Sequence, residues 1–264
     1  MREPHALHAS TWGYACPVET PDGRNTGIRK NFSIATRITV GLATPPIESL
    51  CYEIGVKPLA NVFASIHTSD NPIGTPVCLN ERIIGYVWKA SKFVSTFRTL
   101  RRGGIIHPYV SITHLNNLAQ TSITISCDDG RPIRPLLVVK DNKPVADYPD
   151  KNQSIAFLCT GRRDLSDRQF FSIERVVDVD GFNIWKSNPS SLTNGIIEYI
   201  DPQEQEGTLI AMSPEDLTLK ENVPRYFTHQ EIHPSLILGI LGLNIPFTQT
   251  NQAPRNVYSS AQGK

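Results

Sequence analysis

The chain is 264 residues long, with 39% apolar and 19% charged residues, and its 26 Lys and Arg against 25 acids leave a formal net charge of +1. That length allows one or two compact domains, and the near-neutral balance excludes a protein that coats DNA by charge alone. The longest apolar run, 235–247, ends around Pro246 and is too short to span a bilayer. Five cysteines, an odd number, stand far apart at Cys16, Cys51, Cys78, Cys127 and Cys159. With no apolar leader behind Met1, they predict reduced thiols in an intracellular, non-secreted protein. Twenty prolines and 17 glycines argue for many short elements joined by tight turns.

In chain order, a first module covers roughly 1–45. It is rich in turn formers, above all Pro21-Asp22-Gly23, and a strand is expected over 32–40, where Phe32, Ile34, Ile38 and Val40 alternate. The turn is either purely structural or a rigid loop that presents Glu19, Asp22 or Asn25. A second module, 46–150, holds the clearest helix. Phe93, Val94, Phe97 and Leu100 recur at helical spacing, Arg101-Arg102 suits the last turn, and Gly103-Gly104 stops it. The stretch around Ile123 and Ile125, the turn Asp128-Asp129-Gly130 and the stretch 136–139 read as a β-hairpin. A third module, 151–207, ends in a strand leading to an acidic loop. The fourth, 208–264, opens with a short strand and then a helix capped at Ser213-Pro214. Apolar on all sides, 235–243 reads as a buried helix.

Charge is segregated along the chain. No acid occurs from Arg82 to Cys127, whereas 187–219 contains six acids and no Lys or Arg. This pattern suggests modules with different neighbours, and the basic run itself reads as the solvated back of an amphipathic helix. His229 and His233 are spaced as in a zinc-protease helix, but Gln230 stands where the catalytic Glu belongs and Pro234 follows directly, so no metal site is assigned. In the last stretch, Pro254 suits a first helical position. A helix there would aim its open N–H groups and Arg255 at one anion, with Tyr258 nearly one turn on and Asn251 and Gln252 beside them; an ordinary capped helix with a solvent-facing Arg fits equally well.

Three blocks carry a family resemblance. They are Leu7-His8…Trp12-Gly13…Cys16-Pro17-Val18-Glu19-Thr20-Pro21-Asp22-Gly23…Gly27; then Leu100-Arg101-Arg102-Gly103…His107-Pro108…Val110-Ser111-Ile112 with Asp129-Gly130-Arg131…Arg134-Pro135-Leu136; and finally Glu198-Tyr199-Ile200-Asp201, Glu231-Ile232-His233-Pro234-Ser235 and Asn251-Gln252…Pro254-Arg255-Asn256…Tyr258…Gly263-Lys264. In this order the chain resembles the second-largest, beta-type subunit of multisubunit DNA-directed RNA polymerases, in the eukaryotic and large-DNA-virus branch. Asp22 departs from the family's usual Glu, and Gln262 from its usual Met, which points to a viral or otherwise divergent copy.

The resemblance implies an α+β fold, β-rich with short helices. Its modules would be the end of a fork region (1–45), a first external domain (46–150), a second (151–207) and the start of a hybrid-binding domain (208–264). The motif at Gly263-Lys264 normally continues, so a partial sequence or one piece of a split subunit is expected. The implied activity is nucleotidyl transfer by an assembled polymerase, this chain being inactive alone. Its Mg2+ would be held mainly by the largest subunit, and no zinc is expected here. Implied partners are the largest subunit, the other polymerase subunits, the DNA template, the RNA transcript and NTPs, but no membrane. Arg255 and Tyr258 would line the NTP pocket; Lys264, Asn25, Asp22 and Gln252 would contact nucleic acid. Asp22 is one methylene shorter than the family's Glu. The implied location is the nucleus, a viral factory or a virion. The alternative is a non-catalytic nucleic-acid-binding or assembly module descended from that subunit.

Overall fold

The computed structural model describes residues 3–61, 74–116, 121–140, 143–144, 153–218 and 227–263. Two mixed sheets with short helices form the body, in agreement with the expected α+β class. The first sheet runs in the order β2 (Lys57–Pro58), β4 (Arg82–Val87), β3 (Thr75–Leu79), β6 (Thr121–Ser126), β5 (Ser111–Asn116). Its pairs are antiparallel except β3 with β6. The predicted helix is present as Ala90–Arg102 and ends at Gly103, with Gly104 at φ 73°. It buries Phe93, Val94, Phe97 and Leu100 in one core with Val77, Leu79, Ile84, Ile112, Ile123 and Ile125. The helix Thr44–Ile54 adds Ile47, Leu50 and Cys51 to that core.

The second sheet is built around the nine-residue strand β7 (Pro132–Lys140). It pairs antiparallel with β1 (Arg37–Ile38), β8 (Lys143–Pro144), β9 (Ile197–Ile200) and β11 (His229–Gln230). The short strand β10 (Ile210–Ala211) lies parallel to β11. Strands β9 and β10 and the helix Pro214–Thr218 stand where the sequence places them.

The expected hairpin is not formed. A strand has two edges, and both edges of β6 are taken, by β5 and β3. The turn at Gly130 (φ 76°) therefore carries the chain from one sheet to the other, where β7 begins.

The 32–40 stretch is also not a continuous strand. Only Arg37 and Ile38 join a ladder, and the alternation is inverted: Phe32, Ile34, Ile38 and Val40 are exposed while Ser33 and Thr39 are buried. The polar side chains go inward because they complete backbone hydrogen bonding. Ser33 Oγ donates to the Ile237 carbonyl, and Thr39 Oγ1 donates to the Asp128 carbonyl and accepts from the Arg131 N–H.

The run 235–243 is neither one helix nor buried. A 3-10 turn at Pro234–Ile237 is followed by a single helical turn at Ile240–Leu243, and Ile240, Leu243 and Phe247 are exposed. Gly239 is where the two part. A Cβ there would come within 2.3 Å of Glu19 Oε1, the oxygen that accepts the N–H groups of Leu241 (2.7 Å) and Gly242 (3.1 Å). Glu19 is thus a buried cap for that turn, the structural use of the loop.

The basic run is solvated at Arg82, Lys89 and Lys92, but not at its C-terminal end. Arg101 is 3% exposed and grips both Glu198 and Glu204, while Arg102 donates to Glu198 Oε2 at 2.7 Å and Arg98 pairs with Glu204 at 3.2 Å. His229 Nε2 is 3.0 Å from Glu198 Oε2, so this histidine is a buried hydrogen-bonding residue. The acid-free and base-free segments are therefore each other's neighbours. Burial by itself would raise the Glu198 pKa, but Arg101 and Arg102 beside it, with the His229 hydrogen bond, hold it well below the ordinary carboxylate value. Burial would lower the Arg101 pKa, and Glu198 and Glu204 more than reverse this.

Candidate nucleic-acid and nucleotide interface

The final helix forms as Ala253–Gln262, with Pro254 in its first turn. Asn256 and Ser260, one turn apart, are its buried residues. Asn256 Nδ2 donates to the Thr248 carbonyl at 2.9 Å, and Ser260 Oγ donates to the Val18 carbonyl at 3.0 Å. These polar anchors fix the helix's rotation. Arg255, Tyr258, Ser259 and Gln262 then fall on the exposed face at i, i+3, i+4 and i+7.

The Arg255 side chain has no hydrogen bond or ion pair among the described residues. The helix start offers fewer open amides than the sequence suggests. Pro254 has none, and the Arg255 and Asn256 N–H groups reach the Gln252 carbonyl at 2.9 and 3.4 Å. Anion affinity there rests mainly on the guanidinium.

The Gly/Pro-rich turn packs against the same region. Glu19 holds Ile240–Leu243, the Val18 carbonyl holds Ser260, and a Cβ on Gly242 would meet Val18 at 3.0 Å. The segment before it is tied to the second sheet. Arg134 Nη1 donates to both Glu231 oxygens at 2.7 and 2.8 Å, and its guanidinium lies 5.5 Å from the Tyr14 ring centre. Gly13 (φ 76°) permits this close approach, since a Cβ would lie 2.7 Å from Arg134.

Asp22 and Asn25 are exposed on the turn. Asp22 Oδ1 accepts the Gly23 N–H at 2.8 Å and so caps the 3-10 turn Gly23–Asn25. The structure brings the two candidate segments together through Glu19, Val18 and Ser260, not through the candidate side chains themselves. The Gln252 side chain is exposed at the N-cap, and Lys264 lies outside the described residues.

Sequence reasoning passed over Arg24, Arg29 and Lys30. All three are exposed on this turn and have no ion pair among the described residues. The available signal was three cations and no acid within the seven residues 24–30, the two acids just before them, Glu19 and Asp22, being already used as caps.

All five cysteines are free thiols, and burial pushes Cys51 and Cys159 up to about 12. Among the described residues no group of three or more His, Cys, Asp and Glu side chains converges to hold a metal, so the donor set for a catalytic Mg2+ is not found there. No helix among them is long and apolar enough to cross a membrane.

Three family models match successive parts of the chain: RNA polymerase Rpb2 domain 3 at residues 1–38, domain 4 at 77–140 and domain 5 at 190–234. The chain belongs to the family of second-largest DNA-directed RNA polymerase subunits. RNA polymerase II subunit RPB2 of Eremothecium gossypii is 36% identical over 286 residues, covering 100% of this chain and 22% of that protein. Subunit Rpo2 of Sulfolobus acidocaldarius is 32% identical, covering 99% of this chain and 21% of its own. RNA polymerase II subunit 2 of Arabidopsis thaliana is 34% identical, covering 100% and 20%. The chain thus spans about a fifth of the length of these relatives.

Proposed function

We propose that the chain serves template-directed RNA synthesis as part of a multisubunit DNA-directed RNA polymerase, alongside a largest subunit and the other polymerase subunits. In that reaction the RNA 3′-OH attacks the α-phosphate of an NTP and pyrophosphate leaves. Arg255 orients the triphosphate through charge-assisted, bidentate hydrogen bonds, which a guanidinium makes better than an ammonium. Tyr258, one turn on, lines the same pocket. Gln252, Asn25, Asp22 and Lys264 contact the RNA–DNA hybrid, with Arg24, Arg29 and Lys30 available to its phosphates. Mg2+ would take its ligands from another subunit or another part of the polymerase. The location is the nucleus, a viral factory or a virion.

The observation that carries this reading is the Arg255–Tyr258 face. It is exposed and rotationally fixed by Asn256 and Ser260, and its one cation has no partner among the described residues. In the assembled polymerase, Arg255→Ala is expected to raise the apparent KM for NTPs roughly 10- to 100-fold and slow addition, the loss of a charged hydrogen bond. Arg255→Lys should fall between. Wild-type NTP dependence and elongation rate in Arg255→Ala would sink the assignment.

A further inference from the structure

A cavity of about 260 Å³ lies away from the terminal helix, between the basic helix, β5 and the turn after Pro202–Glu206. Ser91, Ser95 and Arg98 line it from one face of the basic helix, Thr113 and His114 from β5, and Glu204 and Gly207 from the far side.

Its polar groups are incompletely satisfied. Among the described residues His114 Nε2 is shielded from solvent with no hydrogen-bond partner, and Arg98 Nε, equally shielded, has only the 3.2 Å ion-pair contact with Glu204 Oε1 and no hydrogen bond, whereas buried polar atoms in folded proteins nearly always have one. The Arg98 terminal nitrogens and the hydroxyl of buried Thr113 also make no hydrogen bond among the described residues, and the Ser91 hydroxyl stands unbonded at the exposed rim. The one carboxylate lining the cavity is already engaged. Both Glu204 oxygens accept from Arg101, at 2.8 and 2.9 Å.

Charge matching leaves a remainder. Among the described residues Arg98, Arg101 and Arg102 share Glu198 and Glu204, the neighbouring Asp201 being paired with Arg131, and Arg98 is the guanidinium with the weakest claim on the two glutamates. Burial, and then the Arg98 charge, lower the His114 pKa, so the ring is neutral and can present an N–H. Water filling the cavity would satisfy donors but not the surplus positive charge. An oxyanion does both.

We propose that this cavity binds one oxyanion group, a phosphate or a carboxylate, through the Arg98 guanidinium, His114 Nε2–H and the Ser91 and Thr113 hydroxyls. The site is separate from the triphosphate contact assigned to Arg255.

The test titrates the full chain with inorganic phosphate and, separately, with acetate, at ionic strength held constant with chloride. It reads the Tm and the Arg98 Nε–H resonance. At least one anion should raise Tm saturably by a few degrees and shift that resonance. The anion that saturates at lower concentration identifies the group the cavity takes. Arg98→Gln and His114→Leu should each weaken that binding at least tenfold. His114 on the partly exposed β5 provides the readout if Arg98→Gln fails to fold. No saturable response to either anion, an undiminished response in the folded variants, or a response abolished by Arg255→Ala instead would overturn the proposal.

Discussion

The body around the basic helix and the stretch from Pro234 to Gly263 use charge in opposite ways. In the body, Arg101 donates to two buried carboxylates and to the Val110 carbonyl, and Arg131 joins Asp201, Ser111 and the Tyr109 carbonyl. These bonds tie the helix and β5 to the 198–204 segment nearly a hundred positions away. In the terminal stretch few large apolar side chains are buried, packing relies on Glu19, Asn256 and Ser260, and Arg255 is left unpaired among the described residues. A charge that is matched internally holds the fold together. One left open at a rotationally fixed position remains available to a ligand.

The largest effect that could break this contrast is Glu198→Ala. It leaves Arg101 buried beside a single carboxylate and should cost about 3–5 kcal/mol in urea unfolding of the chain. A midpoint unchanged from wild type would mean that the cluster is not structural.

Acid should act on the body next. Burial lowers the His107 pKa to about 4 against an ordinary 6.5, so the unfolded chain binds the extra proton first. Stability tied to neutral His107 is complete above pH 6.5 and is lost as pH falls toward 4, by about 3 kcal/mol at most. The Glu198 contribution is complete above its ordinary value of 4.5 and decays below it, as pH falls toward the depressed folded value. A pH series of denaturation midpoints should therefore decline in two stages, and His107→Leu should flatten the first.

Gly13→Ala is a smaller test of how the turn segment is held. The added Cβ meets Arg134 at a left-handed backbone position, for an expected loss of about 1–3 kcal/mol by thermal or urea unfolding. Smallest of all, Arg255→Ala should change stability by no more than about 0.5 kcal/mol while altering NTP dependence in the assembled enzyme. A large stability loss there would mean that the open face is in fact part of the packing.

Much of the local structure was legible. The helix Ala90–Arg102 follows from four apolar residues and a Gly-Gly stop, and the terminal helix from Pro254, because both signals lie within a few turns of chain. The failures share one cause. Ile123 and Ile125 mark a strand, but nothing local says that β3 and β5 occupy its edges. The apolar alternation at 32–40 points outward because Ser33 and Thr39 complete backbone groups contributed by Ile237, Asp128 and Arg131. Arg24, Arg29 and Lys30 were overlooked because their significance depends on exposure and on lacking partners among the described residues.

The sequence by itself determined the family, through three blocks in order along the chain, and through that resemblance the α+β class; it also determined the faces of the longer helices and the position of Arg255 in a first turn, since these depend on residue identity over short spans. Charge segregation was visible in it as well. Only the tertiary structure decided that the two segregated segments neutralise each other, that Glu19 caps a distant turn and that Arg98 fronts a cavity. Those contacts join residues far apart in the chain, and their sign and strength depend on burial, which no local pattern encodes.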